Sequence, residues 1–205
     1  MQYISNDDFK KFDHIYRINL INSCSGYKSA NLIGTKAENG LENVAVFSSV
    51  THLGSKPPLL GFICRPTTVM RHTYENIKNK RFYTINHIHS KILEDAHHTS
   101  AKYDRDISEF EKTSLVSEYK DDFYAPFVKD CHLQLAMEYV NEYLIKENNT
   151  ILVIGEIKGI YLKKELLNDD GFIDLTKGST AAINGLDGYA IPPNNERFEY
   201  QRPKY

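Results

Sequence analysis

"FSSVTHLGSKPPLLGF", residues 47–62, sets four small polar side chains, Ser48, Ser49, Thr51 and His52, ahead of a short apolar run. The pair Pro57-Pro58 separates the two parts, and the run ends at Cys64, just before Arg65-Pro66. An apolar stretch of this length bounded by prolines predicts a buried strand. Hydroxyls and free backbone N–H groups in front of such a strand make a place where an anion can sit.

The residues around this stretch share one property. From Asn43 to Tyr74 there is no Asp or Glu, where about four would be expected from the overall acidic content. The same window carries Lys56, Arg65 and Arg71, with further hydroxyls at Ser55, Thr67, Thr68 and Thr73. The guanidinium fork matches phosphate oxygens. Two readings stand side by side here: an anion site, or a buried strand that excludes charge for packing reasons among ordinary loop and cap hydroxyls. Neither names a ligand.

Further out, the pattern is mostly strands. "SANLIGTK" (29–36), the turn "AENG" ending in Gly40, and "LENVAVFSS" (41–49) predict strands and turns between 20 and 64. A helix is predicted over 67–80, capped by Thr67 or Thr68, with Val69, Met70, Thr73, Tyr74 and Ile77 at helical spacing. "RFYTINHI" (81–88) returns to strand, and 89–113 reads as polar helix with Ile92, Leu93 and Ala96 on one face and Phe110 as a second anchor. "HLQLAMEYVNEYLI" (132–145) alternates like a half-buried strand, "KENNT" turns the chain, and "ILVIGEIKGIYL" (151–162) runs back, which predicts a hairpin. Residues 1–18 read as a lead-in segment or short helix, and 190–205 as a polar tail. Antiparallel strands with inserted helices predict a mainly β barrel with α additions, one domain over 1–205.

Composition narrows the function classes. With 205 residues, 41% hydrophobic and 25% charged, the chain reads as a soluble globular domain with its own core. No apolar run approaches a membrane span, and the polar N-terminus is unlike a signal peptide. Three widely spaced cysteines, Cys24, Cys64 and Cys131, suggest reduced thiols and a cytoplasmic location. A net charge of −2 weighs against nucleic-acid binding.

The segment "GTKAENGLENVAVFSSVTHLGSKPPLLGF" (34–62) resembles the opening of the flavin reductase-like family of FMN-binding split barrels, the flavoredoxin type included. The shared pattern is a strand, an "NG" turn, "N-x-A-x-F-S", then "PPL" and a strand. The likeness continues in order through "RHTYENIKNKRFYTIN", "AHHTSAKYDRDISEFEKTSL", "APFVKDCHLQLAMEYV", "ILVIGEIKGIYL" and "GFIDLTKGST", over nearly the whole chain. It implies a Greek-key split barrel, dimeric, holding FMN near the subunit interface. It also implies that Ser48, Ser49, Val50 and Thr51 contact the flavin phosphate and ribityl chain. Arg65, Arg71 and Thr73 would supply the basic and hydroxyl positions, with Asn43, Asn86 and Lys102 as further candidates. The implied activity is hydride transfer from NADH or NADPH to the flavin and on to a second acceptor. The alternatives are an FMN-binding electron-transfer or redox-sensing protein, and a split-barrel oxidase of a small substrate such as a pyridoxamine phosphate. Redox chemistry would belong to the cofactor, so no catalytic acid or base is named. One departure is visible: His72 stands where the family commonly has an aspartate before the helix threonine. That change removes a helix cap or makes the charge near a phosphate more favourable.

The remaining motifs are weaker. His87, His89, His97 and His98 cluster, and His87 and His89 would share a strand face at a spacing compatible with metal. No cysteine or compact carboxylate set completes a shell, so no metal is expected and the cluster reads as surface beside the flavin or a partner subunit. "INGLDGY" (183–189) lacks the third glycine of a dinucleotide turn and reads as a surface turn; "KGST" (177–180) is no phosphate loop. Cys64 reads as a small buried hydrophobe.

Overall fold

The computed structural model describes residues 1–204. In chain order, α1 (Asn6–Lys11) and α2 (His14–Ser23) lead into β1 (Lys28–Ser29), β2 (Asn31–Lys36), β3 (Glu42–Phe47), β4 (Thr51–Ser55) and β5 (Pro58–Cys64). Next come α3 (His72–Lys80), β6 (Phe82–His87), α4 (Leu93–His98), α5 (Glu109–Lys112), β7 (Ser117–Glu118) and β8 (Phe127–Val128). The long hairpin of β9 (Leu133–Ile145) and β10 (Thr150–Leu162) follows, then the short β11 (Ala182–Asn184) and β12 (Gly188–Ala190).

Seven strands form one sheet in the order β3-β2-β6-β9-β10-β5-β4, every pairing antiparallel. The sheet curls. Phe47 at the end of β3 meets Phe62 of β5 edge-on at 5.1 Å, although four strands lie between them in the sheet order. Phe62 in turn meets Tyr83 of β6 at 5.8 Å across the interior. At the closure a side chain stands in for a ladder: Ile63 N donates to Ser49 Oγ at 3.0 Å, and Ser49 Oγ donates to Ile63 O at 3.4 Å. Strand curl brings the ends together, and one hydroxyl clasps them.

The interior holds Ile33, Phe62, Ile77, Tyr83, Met137 and Val153. A second cluster, with Leu32, Val44, Ile88, Ala96 and Val128, packs on the outer face of the sheet. Both faces of its middle are therefore covered. This corrects the half-buried alternation expected for β9: Leu133 to Met137 are all buried, with Gln134 satisfied by donating to Val128 O at 2.6 Å and Glu118 Oε1 at 2.9 Å. Gly155 sits at a bulge in β10 where a Cβ would collide with Tyr83 Oη.

The structure moves three helix boundaries. Helix α2 extends through Ser23 into the region expected as strand, capped by Asp13, which accepts from Tyr16 N at 3.0 Å. The helix expected from 67 starts only at His72, and neither Thr67 nor Thr68 caps it. Thr73, Asn76 and Ile77 form its buried face, while Val69 and Met70 lie before the helix and are 53% and 52% exposed. The polar helix expected over 89–113 is three short pieces, a 3-10 turn at Ser90–Ile92 and helices α4 and α5, with 99–108 irregular. Among the described residues, no helix is long and apolar enough to cross a membrane.

Candidate functional site

The curled edge of the sheet leaves a cavity of about 810 Å³, within the range of small-molecule sites. One wall is the acid-free segment: Asn43, Phe47, Ser48 and Ser49 from β3 and its end, then Phe62 and Cys64 from β5 and Arg65 just after it. The start of α3 adds Arg71, His72, Thr73 and Tyr74. The facing wall comes from distant sequence, with His97, Thr99, Lys102 and Tyr103 at and after α4, Glu109 in α5, and Leu186 and Asp187 in the β11–β12 turn.

Seven of the ten residues singled out from sequence line this cavity: Asn43, Ser48, Ser49, Arg65, Arg71, Thr73 and Lys102. Val50, Thr51 and Asn86 lie outside the lining. Val50 packs on the interior core, and its carbonyl accepts from Ser29 Oγ at 3.1 Å. Thr51 is exposed in β4, opposite Gly61. Asn86 is fully buried, and its amide is used up by the sheet. It donates to Leu32 O at 3.2 Å and Thr84 Oγ1 at 2.9 Å and accepts from Val128 N at 3.0 Å. Both of its amide N–H groups are thus engaged within the sheet. His52 and Lys56 stay on the exposed β4 edge, away from the cavity.

The wall's polar groups are held in place. Asn43 Nδ2 donates to Thr73 Oγ1 at 3.0 Å, tying β3 to α3 in a buried contact. Arg71 occupies the N-cap position without a side-chain cap bond, and its Nε donates to Pro66 O at 3.4 Å. The departure at His72 thus goes with an uncapped helix start. Arg65, Arg71 and Lys102 make no ion pair among the described residues. Cations without carboxylate partners, beside hydroxyls, suit an anionic ligand.

Behind the wall, Tyr74 Oη donates to Glu142 Oε1 at 2.9 Å, and Lys78 pairs with the same carboxylate at 3.1 Å. Burial first, and then the Glu142 bond, push the Tyr74 phenol up to about 12. Burial pushes the Cys64 thiol up to about 11, partly offset by Arg71, and so disfavours the thiolate form.

The histidines divide among separate places. His87 ends β6, whereas His89 lies beyond the strand and stacks on His132 with ring centroids 4.4 Å apart, so the two do not share a strand face. His97 lines the cavity with Nδ1 3.2 Å from Tyr189 Oη, and His98 Nε2 lies 2.6 Å from Tyr103 Oη. Among the described residues, no three His, Cys, Asp or Glu side chains gather to hold a metal. The sequence reading missed Glu109, a carboxylate only 6% exposed that lines the cavity. In "SEFEK" it looks like any solvated helix residue, and no signal in the sequence marks it.

Comparison with known proteins agrees with this geometry. Residues 27–176 match the family described as flavin reductase like domain. The fold superimposes on a candidate flavin reductase with a split barrel domain from Shewanella frigidimarina NCIMB 400, with a TM-score of 0.94 and 45% identity, covering 98% of this chain and 100% of that one. It is similar to nitrilotriacetate monooxygenase component B from Bacillus cereus, with a TM-score of 0.82 and 17% identity, covering 98% of each chain. It is also similar to flavoredoxin of Desulfovibrio vulgaris (Miyazaki F), with a TM-score of 0.74 and 17% identity over 85% of this chain and 91% of that one. The last two likenesses concern the fold. The chain is a mainly β split barrel and belongs to the flavin reductase-like family.

Proposed function

We propose that the protein binds FMN in this cavity and acts as an oxidoreductase, taking hydride from NADH or NADPH and passing electrons to a second acceptor. The observation that carries the reading is the acid-free wall, where Arg65 and Arg71 stand beside Ser48 and Thr73 with no carboxylate partner among the described residues. A phosphate monoester offers three acceptor oxygens and close to two negative charges, and this wall supplies the complementary donors. Phe47 and Phe62 give an apolar backing against which a planar ring can lie. When bound, the flavin supplies the redox chemistry. The chain's own share is to hold the phosphate, orient the ring and keep water from it.

The reading includes a homodimer in the cytoplasm. Val140, Tyr143 and Leu144 on the β9–β10 hairpin and Leu53 on β4 are 47%, 57%, 58% and 42% exposed, an apolar surface suited to a second copy. Light scattering on the purified protein tests that part. The absorption spectrum tests for flavin, and anaerobic mixing with NADH or NADPH tests the donor. Bleaching of the flavin band within seconds supports the reductase. A flavin that stays oxidised under excess donor replaces it with the electron-transfer or redox-sensing alternative.

A further inference from the structure

Among the acidic residues of the cavity wall, Asp104 and Asp187 are exposed and Glu109 is closed off, at 6% exposure. Glu109 opens α5, and its Oε2 accepts from Val44 N at 3.1 Å on the outer edge of β3. Capping an edge amide needs an acceptor but not a charge; a glutamine oxygen would serve as well. No cation lies within ion-pair distance of Glu109 among the described residues. The charged groups on the surrounding elements are committed elsewhere or face the same cavity. Arg105 pairs with Glu75 at 2.9 Å and Glu42 of β3 accepts from Tyr119 Oη at 2.7 Å, while Arg71, Lys102 and His97 face the same cavity without an ion pair to Glu109 among the described residues. His72 lines the cavity from α3, and Asp104 from the loop before α5. Burial raises the Glu109 carboxyl above its ordinary range, partly offset by the N–H groups of Val44 and of Glu109 itself. An unpaired carboxylate in such a place is costly, and a second anion in the same cavity raises that cost.

We propose that Glu109 is the proton-holding residue of the cavity: its carboxylate takes one proton from solvent when an anionic flavin enters, so FMN is bound beside a neutral carboxyl. This rests on the flavin reading given above. One proton moves from water to a carboxylate oxygen, and no bond of the ligand is made or broken. The neutral carboxyl no longer repels the ligand's charge, and it keeps a proton inside the cavity.

The sign of the pH dependence follows. Below the ligand-free pKa the carboxyl is already protonated, and affinity does not change with pH. Above it, binding requires proton uptake, and affinity falls by up to about tenfold per pH unit until the ligand-bound pKa is passed.

The test is an FMN titration of flavin-free wild type and E109Q across pH, read by flavin fluorescence. Glutamine keeps an oxygen for Val44 N. The ligand phosphate ionises in both proteins, so the ratio of the two affinities isolates Glu109. The wild-type affinity is expected to fall relative to E109Q by about tenfold as pH rises through the titration. Parallel pH profiles overturn the proposal and leave the flavin reading standing. If neither protein binds FMN, the flavin reading falls and this proposal falls with it. Should E109Q fail to fold, infrared difference spectra of the wild type on FMN addition read the carboxyl directly. A new protonated-carboxyl band supports the proposal, and its absence overturns it.

Discussion

Replacing Arg71 with alanine should weaken FMN binding by about tenfold to a hundredfold while leaving the fold intact. Arg71 sits in extended backbone, with φ −126° and ψ 91°, one residue before α3. It caps nothing with its side chain, and its bond to the rest of the chain is Nε to Pro66 O at 3.4 Å. No carboxylate depends on it, so truncation leaves no charge unpaired, and the stability change should stay within about 0.5 kcal/mol. A charge-assisted hydrogen bond to phosphate contributes about 1.5–3 kcal/mol, which is the stated loss of affinity. Arg105→Ala is the control: it lines the same cavity, but it is 56% exposed and paired with Glu75 at 2.9 Å. Such a surface pair contributes under about 1 kcal/mol, and its loss should change affinity little. Arg71→Lys should fall between, since it restores the charge but not the planar fork. Fluorescence titration reads the affinity and urea unfolding reads the fold. A folded R71A that binds FMN within about twofold of wild type would refute the reasoning and place the phosphate elsewhere.

Three further predictions concern the barrel. Tyr83 is fully buried, and its hydroxyl has no hydrogen-bond partner among the described residues, so Tyr83→Phe should stabilise by about 1 kcal/mol, raising Tm by about 2–4 °C; a clear loss in calorimetry would mean the hydroxyl is satisfied. Gly155→Ala drives a Cβ into that same hydroxyl and should cost about 1–3 kcal/mol. Because the two residues touch, the double variant G155A/Y83F should recover part of the loss, and strict additivity would argue against the contact. Burial pushes the His87 imidazole from 6.5 down to about 4. The unfolded chain then binds a proton that the folded chain refuses, so this contribution is complete above pH 6.5 and is lost as pH falls toward 4. Denaturant unfolding of His87→Gln should show a flatter acid limb than wild type, and coincident limbs would contradict the shift.

The near wall of the cavity was legible because its signal is local. Ser48, Ser49, Arg65, Arg71 and Thr73 fall within one acid-free stretch, and the strand after the proline pair follows from apolar content and proline boundaries. The same signal does not separate Thr51, which lies on the exposed edge strand outside the cavity lining, since an edge strand and a loop carry similar hydroxyls. Asn86 shows a different limit. Its amide is consumed by Leu32, Thr84 and Val128, all but one of them far away in sequence, and no composition rule reveals that. The helix expected from 67 begins only at His72: Val69 and Met70 have helical spacing, but they stay about half exposed beside the cavity and do not join the helix's buried face.

By itself the sequence determined the strand-and-turn grammar, the charge character of one wall and, through ordered likeness, the family. These are properties of neighbouring residues, set by propensity, hydrophobic period and local charge. Only the tertiary structure decided which groups face the cavity. Packing of the segments after α4, α5 and the β11–β12 turn brings Lys102, Glu109 and Asp187 into the same cavity as Arg71, and Glu109 is buried there with no ion-pair partner among the described residues. Burial and partner choice depend on long-range packing, so a carboxylate that reads as a solvated helix residue in the sequence becomes, in the folded chain, a buried acid at the site.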